Sequence, residues 1–380
     1  MARSAEESAR RVLIVGPRFS IKPSDALWSG GRSGLMFYSF GRRLANGFTR
    51  NGHFAFALDD RECRRQMLGC RTAGTWLADR RLLQVAQELR PDLICLHHCD
   101  LISPGAMRQI RELLPQTRIA VVYYDNIFEP ASAARFRRFL ETADFAFATT
   151  GGASLAEFAD ACPVAFIPNP VDLSIDNASA FAVARKTIDV FCAAGVSGEA
   201  NRWDLIDELV RHKPGLRYAL YGRNKQNRLY GDAYYRVISQ SKIGLNFNRE
   251  EGDLYASDRM AQYLGNGILL ATSRRSGYQA YFGDDEMLFF DDAEELADRV
   301  GWALSSDRRW RGMAERARAN ATAMMSGELV TRFILDMTLG RGAPQDWKFG
   351  DQIYLRPTRK RANARPEALA PGTALVPQYS

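Results

Sequence analysis

The sequence predicts an α/β protein made of two doubly wound domains, each with a parallel sheet covered by helices. Short apolar segments alternate with amphipathic helical segments along most of the chain, which is typical of parallel strands joined by crossover helices. The chain has 380 residues, too many for one ordinary core, and suits two domains of similar size. Its hydrophobic content of 46% argues against wholesale disorder.

The amino-terminal domain is predicted to cover residues 1–170. It begins with the apolar strand Val12–Gly16, a glycine-rich loop and a helix from about Leu35 to Asn51. Further strands are predicted at Phe54–Leu58, Leu93–His97, Ile119–Tyr123, Phe145–Ala148 and Val164–Ile167. Helices are predicted between these strands, near residues 80–90, 103–114, 131–142 and 153–160.

The carboxyl-terminal domain is predicted to cover residues 171–340 and repeats the same rhythm. The residues Ile243, Leu245 and Phe247 alternate with polar residues and glycine, which predicts a strand around them. Further strands are predicted at Ile188–Cys192, Arg217–Tyr221 and Ile268–Ala271. Helices are predicted at 201–212, 231–240, 256–266 and 307–339. Residues 341–380 are rich in Pro, Arg and Ala, so we predict a basic, flexible tail.

Composition narrows the class of protein. No apolar run approaches the roughly 20 residues that a membrane-spanning helix needs, and the amino terminus has no apolar segment of the signal-peptide type. The six cysteines show no paired metal-ligand spacing. Cys95 lies beside two histidines but within the apolar segment DLICL, which favours a buried thiol over a zinc site. We therefore expect a cytoplasmic protein without a bound metal.

The net charge of +7 is unevenly distributed. Residues 1–170 carry 22 basic and 17 acidic side chains, residues 171–340 carry 22 and 24, and residues 341–380 carry 7 and 3. The basic amino-terminal half could meet an anionic membrane surface or a phosphorylated acceptor, or it could simply present solvated helix faces. Nucleic acid is not expected, because the basic residues are dispersed and no nucleic-acid recognition motif accompanies them.

The segment from Ser241 to Thr272 is the most informative part of the chain. A predicted strand ends at the polar, charged sequence NREEGD, and a helix with Arg259 in its first turn follows. In open α/β sheets the carboxyl ends of the strands face the ligand crevice. A helix amino terminus beside an arginine favours an anion, so this segment predicts a binding site for a phosphate-bearing ligand.

These residues also carry a family resemblance. The run RMAQYLGNG from Arg259 to Gly267, followed by ILLAT, resembles the R-x-x-E-A-x-A-x-G donor-site signature of group 1 glycosyltransferases, most closely their spore-maturation-protein-like branch. The segments 282–286 and 290–296 continue that resemblance, and IPNPVD at 167–172 resembles the superfamily's junction between domains. Gln262 departs from the pattern, since relatives have glutamate there.

The resemblance implies the GT-B fold, in which two Rossmann-like domains face a central cleft. It implies transfer of a sugar, of the hexosyl class, from a nucleotide-sugar donor to a hydroxyl of a cell-surface polysaccharide, lipopolysaccharide or glycan acceptor. The donor would bind the carboxyl-terminal domain and a glycan or lipid-linked acceptor the amino-terminal domain. Retention of anomeric configuration and independence from metal are implied, with no cofactor besides the donor. Peripheral attachment at the inner face of the membrane is left open.

Candidate donor-site residues lie where predicted strands end. Fixed cations there would stabilise the departing diphosphate, and a glycine would let backbone approach it. An amide at position 262 could still bind ribose hydroxyls. The predicted donor-binding residues are Gly195, Arg223, Lys225, Arg249, Arg259 and Gln262.

On the amino-terminal side, Gly30, Gly31 and Arg32 belong to a glycine-rich loop before a helix, which resembles the superfamily loop that faces donor phosphate and acceptor. His97, Asp100 and Asp125 follow two predicted strands and are the candidate catalytic residues, because a histidine or aspartate there could deprotonate an acceptor hydroxyl. Two alternatives stay open: an epimerase of nucleotide sugars with the same fold, and a non-catalytic carbohydrate-binding relative.

Overall fold

A seven-stranded sheet forms the amino-terminal half of the protein. The computed structural model describes residues 8–19, 36–195, 201–224, 227–248 and 252–356. The strands of this sheet are β1 (Arg11–Gly16), β2 (Phe54–Asp59), β3 (Leu93–His97), β4 (Arg118–Tyr123), β5 (Phe145–Ala148), β6 (Val164–Phe166) and β12 (Ile353–Tyr354). Their order across the sheet is β12-β6-β5-β4-β3-β1-β2, and all neighbours are parallel except β12 and β6. The predicted strands of this half are confirmed.

Helices connect these strands in the order expected of a doubly wound sheet. They are α1 (Phe40–Arg50), α2 (Asp60–Gln66), α3 (Arg71–Leu89), α4 (Pro104–Leu113), α5 (Pro130–Arg137) and α6 (Gly152–Ala156). Helix α2 was not predicted from the sequence, and α3 begins earlier than the helix predicted near residues 80–90. The side chain of Asp59 accepts hydrogen bonds from the backbone of Arg61 and Glu62, which explains why a helix begins directly after β2.

A five-stranded parallel sheet forms the carboxyl-terminal half. Its strands are β7 (Ile188–Ala193), β8 (Tyr218–Tyr221), β9 (Ser241–Asn246), β10 (Leu269–Ser273) and β11 (Leu288–Phe290), in the order β11-β10-β9-β7-β8. Its helices are α7 (Asn201–His212), α8 (Gly231–Gln240), α9 (Arg259–Asn266), α10 (Ala293–Leu304), α11 (Asp307–Met325) and α12 (Gly327–Thr338). Gly267 ends α9 in the left-handed conformation with φ of 73°, which a glycine adopts without strain.

Three features tie the halves together. The final helix α12 packs against α1 of the amino-terminal half, and the backbone of Val171 pairs with Met325 and Gly327. Arg43 of α1 is buried and forms an ion pair with the buried carboxylate of Asp176. Burying either charge without a partner would be costly, so the pair stabilises the contact between α1 and the segment that connects the two sheets.

The segment after Gly340 differs from the predicted flexible tail as far as the structure describes it. Trp347 and Phe349 are buried, and the Trp347 ring stacks on Phe333 of α12 at 3.8 Å between ring centres. Strand β12 then adds to the edge of the amino-terminal sheet. These aromatic side chains bury enough apolar surface to hold a segment whose composition otherwise suggests a linker. Within the described ranges, no helix is long and apolar enough to cross a membrane.

Candidate functional site

The crevice of the carboxyl-terminal sheet lies between β7 and β9. The strands are parallel, but the connections from them leave in opposite directions: β7 leads to β8 on one side, and β9 leads to β10 on the other. Such a switch point leaves space above the carboxyl ends of the two strands, and ligands of open α/β sheets bind there. The candidate donor site therefore begins with the residues that surround the ends of β7 and β9.

Arg259 spans this switch point. Its Nη1 donates to the carbonyl oxygen of Ala193 at 3.1 Å, and its Nη2 donates to the carbonyl oxygen of Phe247 at 2.7 Å. Its Nε is buried and has no hydrogen-bond partner among the residues that the structure describes. A guanidinium presents five N–H groups in a rigid plane, so Arg259 can hold both strand ends and still offer a donor to an anion.

The loop between β9 and α9 is held at both ends. The side chain of Asn248 donates to the carbonyl oxygen of Tyr255 and accepts from the backbone of Ser257, at 3.0 Å each. Ser257 in turn donates to the side chain of Asn246 at 2.7 Å. These bonds fix the loop against the end of β9 and set the position of the first turn of α9.

The same loop reaches across to the amino-terminal half. The carboxylate of Asp253 accepts hydrogen bonds from the backbone and the hydroxyl of Ser154, at 3.1 and 2.6 Å. The backbone of Gly151 donates to the carbonyl oxygen of Asp253 at 2.5 Å. Asp253 and the following Leu254 both have positive φ, 44° and 60°. The contacts compensate for a backbone conformation that is strained for residues other than glycine.

Gln262 is buried in α9 and both ends of its amide are engaged. Its Oε1 accepts from the hydroxyl of Tyr234 at 2.7 Å, and its Nε2 donates to the carboxylate of Asp258 at 3.1 Å. Asp258 itself is exposed. The structure therefore couples Gln262 to a carboxylate one helical turn earlier.

Gly195 and Arg228 face each other beyond the end of β7. A Cβ atom placed on Gly195 would lie 3.9 Å from Nη2 of Arg228. Within the described part of the chain, the buried Nε of Arg228 has no hydrogen-bond partner and no carboxylate pairs with this arginine. The sequence analysis did not single out Arg228. It lies seven residues after β8, and only the pairing of β8 with β7 brings it to Gly195.

Arg223 is oriented differently from Arg228. Its guanidinium forms two hydrogen bonds to the carboxylate of Asp207, at 3.0 and 2.6 Å, and lies over the ring of Trp203. More than half of its side chain is exposed. Its role in donor binding stays a prediction, and a ligand phosphate would have to compete with Asp207 for this guanidinium.

His97 lies in the interior at the end of β3. It is 1% exposed, neither ring nitrogen has a hydrogen-bond partner among the described residues, and burial lowers its pKa to about 3. A Cβ atom on Gly16 or on Gly41 would lie 2.5 Å from its Nε2, so two glycines are needed to accommodate the ring. Burial and a lowered pKa make the His97 ring a weak proton acceptor near neutral pH, and its catalytic role stays a prediction.

The neighbouring His98 has a different environment. It adopts a positive φ of 51°, its Nε2 lies 3.4 Å from the carboxylate of Asp125, and its ring stacks on Tyr123 and Tyr124. Burial lowers the pKa of His98, while Asp125 opposes that shift. About half of the Asp125 side chain is exposed. His98, and not the predicted catalytic candidate His97, is the histidine beside Asp125.

Asp100 is also placed near this edge of the sheet, but its carboxylate is occupied. Oδ2 of Asp100 lies 2.5 Å from Nη2 of Arg61 in an ion pair. Behind it, the buried carboxylate of Asp60 accepts hydrogen bonds from the backbone of Asp100 and Leu101, at 2.9 and 3.0 Å. A catalytic role for Asp100 stays a prediction and would require this ion pair to open.

Aromatic side chains line the junction between the two halves. Tyr38 stacks on Tyr234 of α8 with 5.5 Å between ring centres and also contacts Tyr235. The hydroxyl of Tyr235 donates to Asp176, the ion-pair partner of Arg43. Tyr234 also donates a hydrogen bond to Gln262 of α9, so the stacked rings of Tyr234 and Tyr38 link α9 to the amino-terminal half.

Five predicted site residues lie outside the described ranges: Gly30, Gly31, Arg32, Lys225 and Arg249. Among the residues that are described, no three His, Cys, Asp or Glu side chains come together in a way that could hold a metal ion.

Comparisons with known proteins agree with this architecture. Residues 202–335 match the sequence model of a family described as "Glycosyl transferase-like". No curated protein matches the chain in sequence. The structure is similar to that of HepE from Anabaena in complex with UDP-glucose, with a TM-score of 0.57 and 14% identity over 87% of this chain and 100% of that chain.

Two further solved structures are similar. The α,α-trehalose-phosphate synthase (UDP-forming) from Burkholderia vietnamiensis has a TM-score of 0.54 and 13% identity, covering 91% of this chain and 100% of that chain. AviGT4, a glycosyltransferase involved in avilamycin A biosynthesis, has a TM-score of 0.52 and 13% identity, covering 87% and 97%. Identities this low show a shared fold and nothing finer.

The fold is therefore GT-B, with two Rossmann-like domains built on parallel sheets. The family match over residues 202–335 includes Arg228, Arg259 and Gln262 of the candidate donor site, and Gly195 lies before it. On the match of residues 202–335 to this family, the protein is an enzyme of the glycosyltransferase class.

Proposed function

We propose that this enzyme transfers a sugar from a nucleotide-sugar donor to a hydroxyl of a cell-surface polysaccharide, lipopolysaccharide or glycan acceptor. The observation that carries the proposal is Arg259, which spans the switch point between β7 and β9 and keeps a buried N–H without a partner. Gly195 and Arg228 lie beside the end of β7. Together they offer two cations and an approachable backbone to a diphosphate.

To transfer the sugar, the enzyme must stabilise the negative charge that develops on the leaving diphosphate in the transition state. Fixed cations in a crevice do this without reorganising in the transition state, and charge-assisted hydrogen bonds are the strongest that side chains supply. Arg259 and Arg228 are the described residues that best fit this role, and Arg223, Lys225 and Arg249 remain predicted contributors. No step of this scheme requires a metal ion, and metal independence is part of the proposal.

UDP is the nucleotide that we propose first. HepE binds UDP-glucose, and the trehalose-phosphate synthase is described as UDP-forming. Gln262 would contact the ribose through neutral hydrogen bonds, with Asp258 as its bonded neighbour. The finer resemblance to the spore-maturation-protein-like branch, and a hexose as the transferred sugar, remain part of this proposal.

The acceptor is proposed to lie against the edge of the amino-terminal sheet where β3 and β4 end. Asp125 is exposed there and paired with His98, so it is available to a hydroxyl group. We propose a retaining reaction in which the donor phosphate helps to accept the proton, so that Asp125 orients the acceptor and is not strictly required as a base. Replacing Asp125 by Asn should then raise the acceptor KM more than it lowers kcat.

A thermal-shift and hydrolysis assay tests the proposal. The wild-type protein should melt at a higher temperature with one class of UDP-, GDP- or dTDP-sugar, because a ligand that binds only the folded state stabilises it. Slow release of the nucleoside diphosphate without acceptor would mark an active site. Binding without release would instead favour a carbohydrate-binding relative, and a changed sugar without release of the nucleotide would favour an epimerase.

Cytoplasmic location with attachment to the inner face of the membrane is also part of the proposal, supported by the 22 basic against 17 acidic residues of the first 170 positions. Each basic group close to an anionic surface contributes about 1 kcal/mol, and salt weakens it. Sedimentation with anionic and neutral vesicles, at low and high salt, tests this attachment.

A further inference from the structure

A second cationic site lies on the amino-terminal half, away from the donor crevice. A cavity of about 390 Å³ opens between α2, the start of α3 and the segment after β3. Four arginines line it, together with Gly69 and the carboxylate of Asp100. The arginines are Arg61, Arg64, Arg65 and Arg71, and we refer to this cavity as the arginine pocket.

The charges of the arginine pocket do not cancel. Arg61 pairs with Asp100, and Arg65 pairs with Glu62. Arg64 donates to the backbone carbonyl of Gly69 at 2.8 Å, and Arg71 donates to the backbone carbonyl of Asp100 at 3.4 Å.

In the described part of the chain, neither Arg64 nor Arg71 has a carboxylate within ion-pair distance. Arg138 also donates to the carbonyl oxygen of Asp100, at 3.2 Å. A concave surface with an excess of one sign of charge concentrates ligands of the opposite sign.

The pocket lies on the acceptor side of the protein. Asp100 follows β3, and the His98–Asp125 pair lies at the ends of β3 and β4 in the same sheet. Arg259 and Arg228, the cations proposed for the donor diphosphate, belong to the other sheet. An anion in the arginine pocket would therefore be a group of the acceptor and not of the donor.

The rim of the pocket suggests what the anion is attached to. Leu68 precedes the lining residue Gly69, is 99% exposed and has a positive φ of 50°. A leucine in the left-handed conformation is disfavoured, and here it holds an apolar side chain fully in water. An exposed apolar side chain beside a cationic pocket favours a phosphate carried on a lipid over one carried on a soluble sugar.

We propose that the arginine pocket binds the phosphate or diphosphate group of the acceptor substrate, with Arg64 and Arg71 as its main ligands. Guanidinium groups bind phosphate through paired, charge-assisted hydrogen bonds, and both arginines have donors to spare. The proposal rests on the proposed function and names its acceptor class. The phosphate takes no part in the reaction; it holds the acceptor so that its hydroxyl faces the donor.

The test uses the full-length protein and a double variant, Arg64→Gln with Arg71→Gln. Both side chains are exposed, so the fold should survive their replacement. The matched control is Arg80→Gln with Arg108→Gln, which removes the same charge from exposed positions of α3 and α4. Inorganic pyrophosphate is titrated calorimetrically into each protein in the presence of saturating UDP, which keeps the donor crevice filled.

Pyrophosphate should bind the wild type and the control equally and the double variant at least tenfold more weakly. Equal affinity in all three proteins, or equal loss in the double variant and the control, would overturn the proposal. UDP affinity should be the same in all three. If the wild type binds pyrophosphate in the pocket but no nucleotide or nucleotide sugar, the proposed function fails while the site stands.

Two further titrations identify the source of the phosphate. Phosphatidylcholine vesicles that contain phosphatidic acid present a lipid phosphate, and glucose 6-phosphate presents a soluble one. Binding to these vesicles that the double variant loses and the control keeps would support a lipid-linked acceptor. Selective loss of glucose 6-phosphate binding would support a phosphate site for a soluble acceptor, and loss of neither in the double variant would contradict the assignment.

Discussion

Replacing Arg259 by Gln should weaken donor binding and destabilise the carboxyl-terminal sheet at the same time. The arginine holds the carbonyl oxygens at the ends of β7 and β9, at 3.1 and 2.7 Å, and a glutamine amide can reach at most one of them. Loss of one charge-assisted contact to the donor should cost about 1.5–3 kcal/mol, which is roughly a 10- to 150-fold loss of affinity.

The stability of the folded protein should fall by about 1–3 kcal/mol in the same variant, because a carbonyl oxygen loses its partner. Calorimetric titration of UDP and thermal melting separate the two effects. Arg236→Gln is the matched control, since Arg236 is exposed on α8 and its ion pair within the described ranges is with Asp232, one turn earlier. Arg259→Lys keeps the charge and should fall between wild type and Gln. A folded Arg259→Gln protein that binds UDP as tightly as wild type would refute the reasoning.

Three further outcomes are expected. Gln262→Ala should raise the donor KM more than it lowers kcat, because a ribose contact supplies uniform binding; a collapse of kcat at saturating donor would place Gln262 in the transition state. Asp253→Ala should speed hydrogen exchange in residues 252–258, since it removes both bonds to Ser154; unchanged exchange would contradict the bridging role. Asp60→Asn should gain stability relative to wild type as pH rises from 4 to 7, by up to about 3 kcal/mol, because burial raises the pKa of Asp60 to about 6 and ionisation then destabilises the fold; a pH-independent difference in unfolding free energy would contradict it.

The strands could be predicted from sequence because each is a short apolar run between polar segments. A strand that is buried on both faces appears in the sequence as a continuous apolar run, which is a local signal. This signal predicted β1 to β6 and the alternation of strands and helices in the carboxyl-terminal half. Strand β12 could not be predicted in this way. It has two residues, and its position depends on Trp347 and Phe349 packing against distant parts of the chain.

The candidate site was predictable only in part, for a related reason. Arg259 could be predicted because it stands at the start of a helix shortly after a strand ends, and both features can be recognised from the local sequence. Arg228 reaches Gly195 only because β7 and β8 pair. The burial of His97 depends on the close approach of two glycines from other elements, which no spacing within its own segment reveals.

The central claim is that the crevice at β7 and β9 binds a nucleotide sugar. Thermal melting of the wild type and of Arg259→Gln with UDP-, GDP- and dTDP-sugars tests it most directly. At a hundredfold excess over Kd, a ligand that binds only the folded state adds about 2.7 kcal/mol of stability, which raises Tm by several degrees. The account predicts such a rise for the wild type with one nucleotide class and a much smaller rise for the variant. No rise with any nucleotide sugar at millimolar concentration, or an equal rise in both proteins, would contradict it.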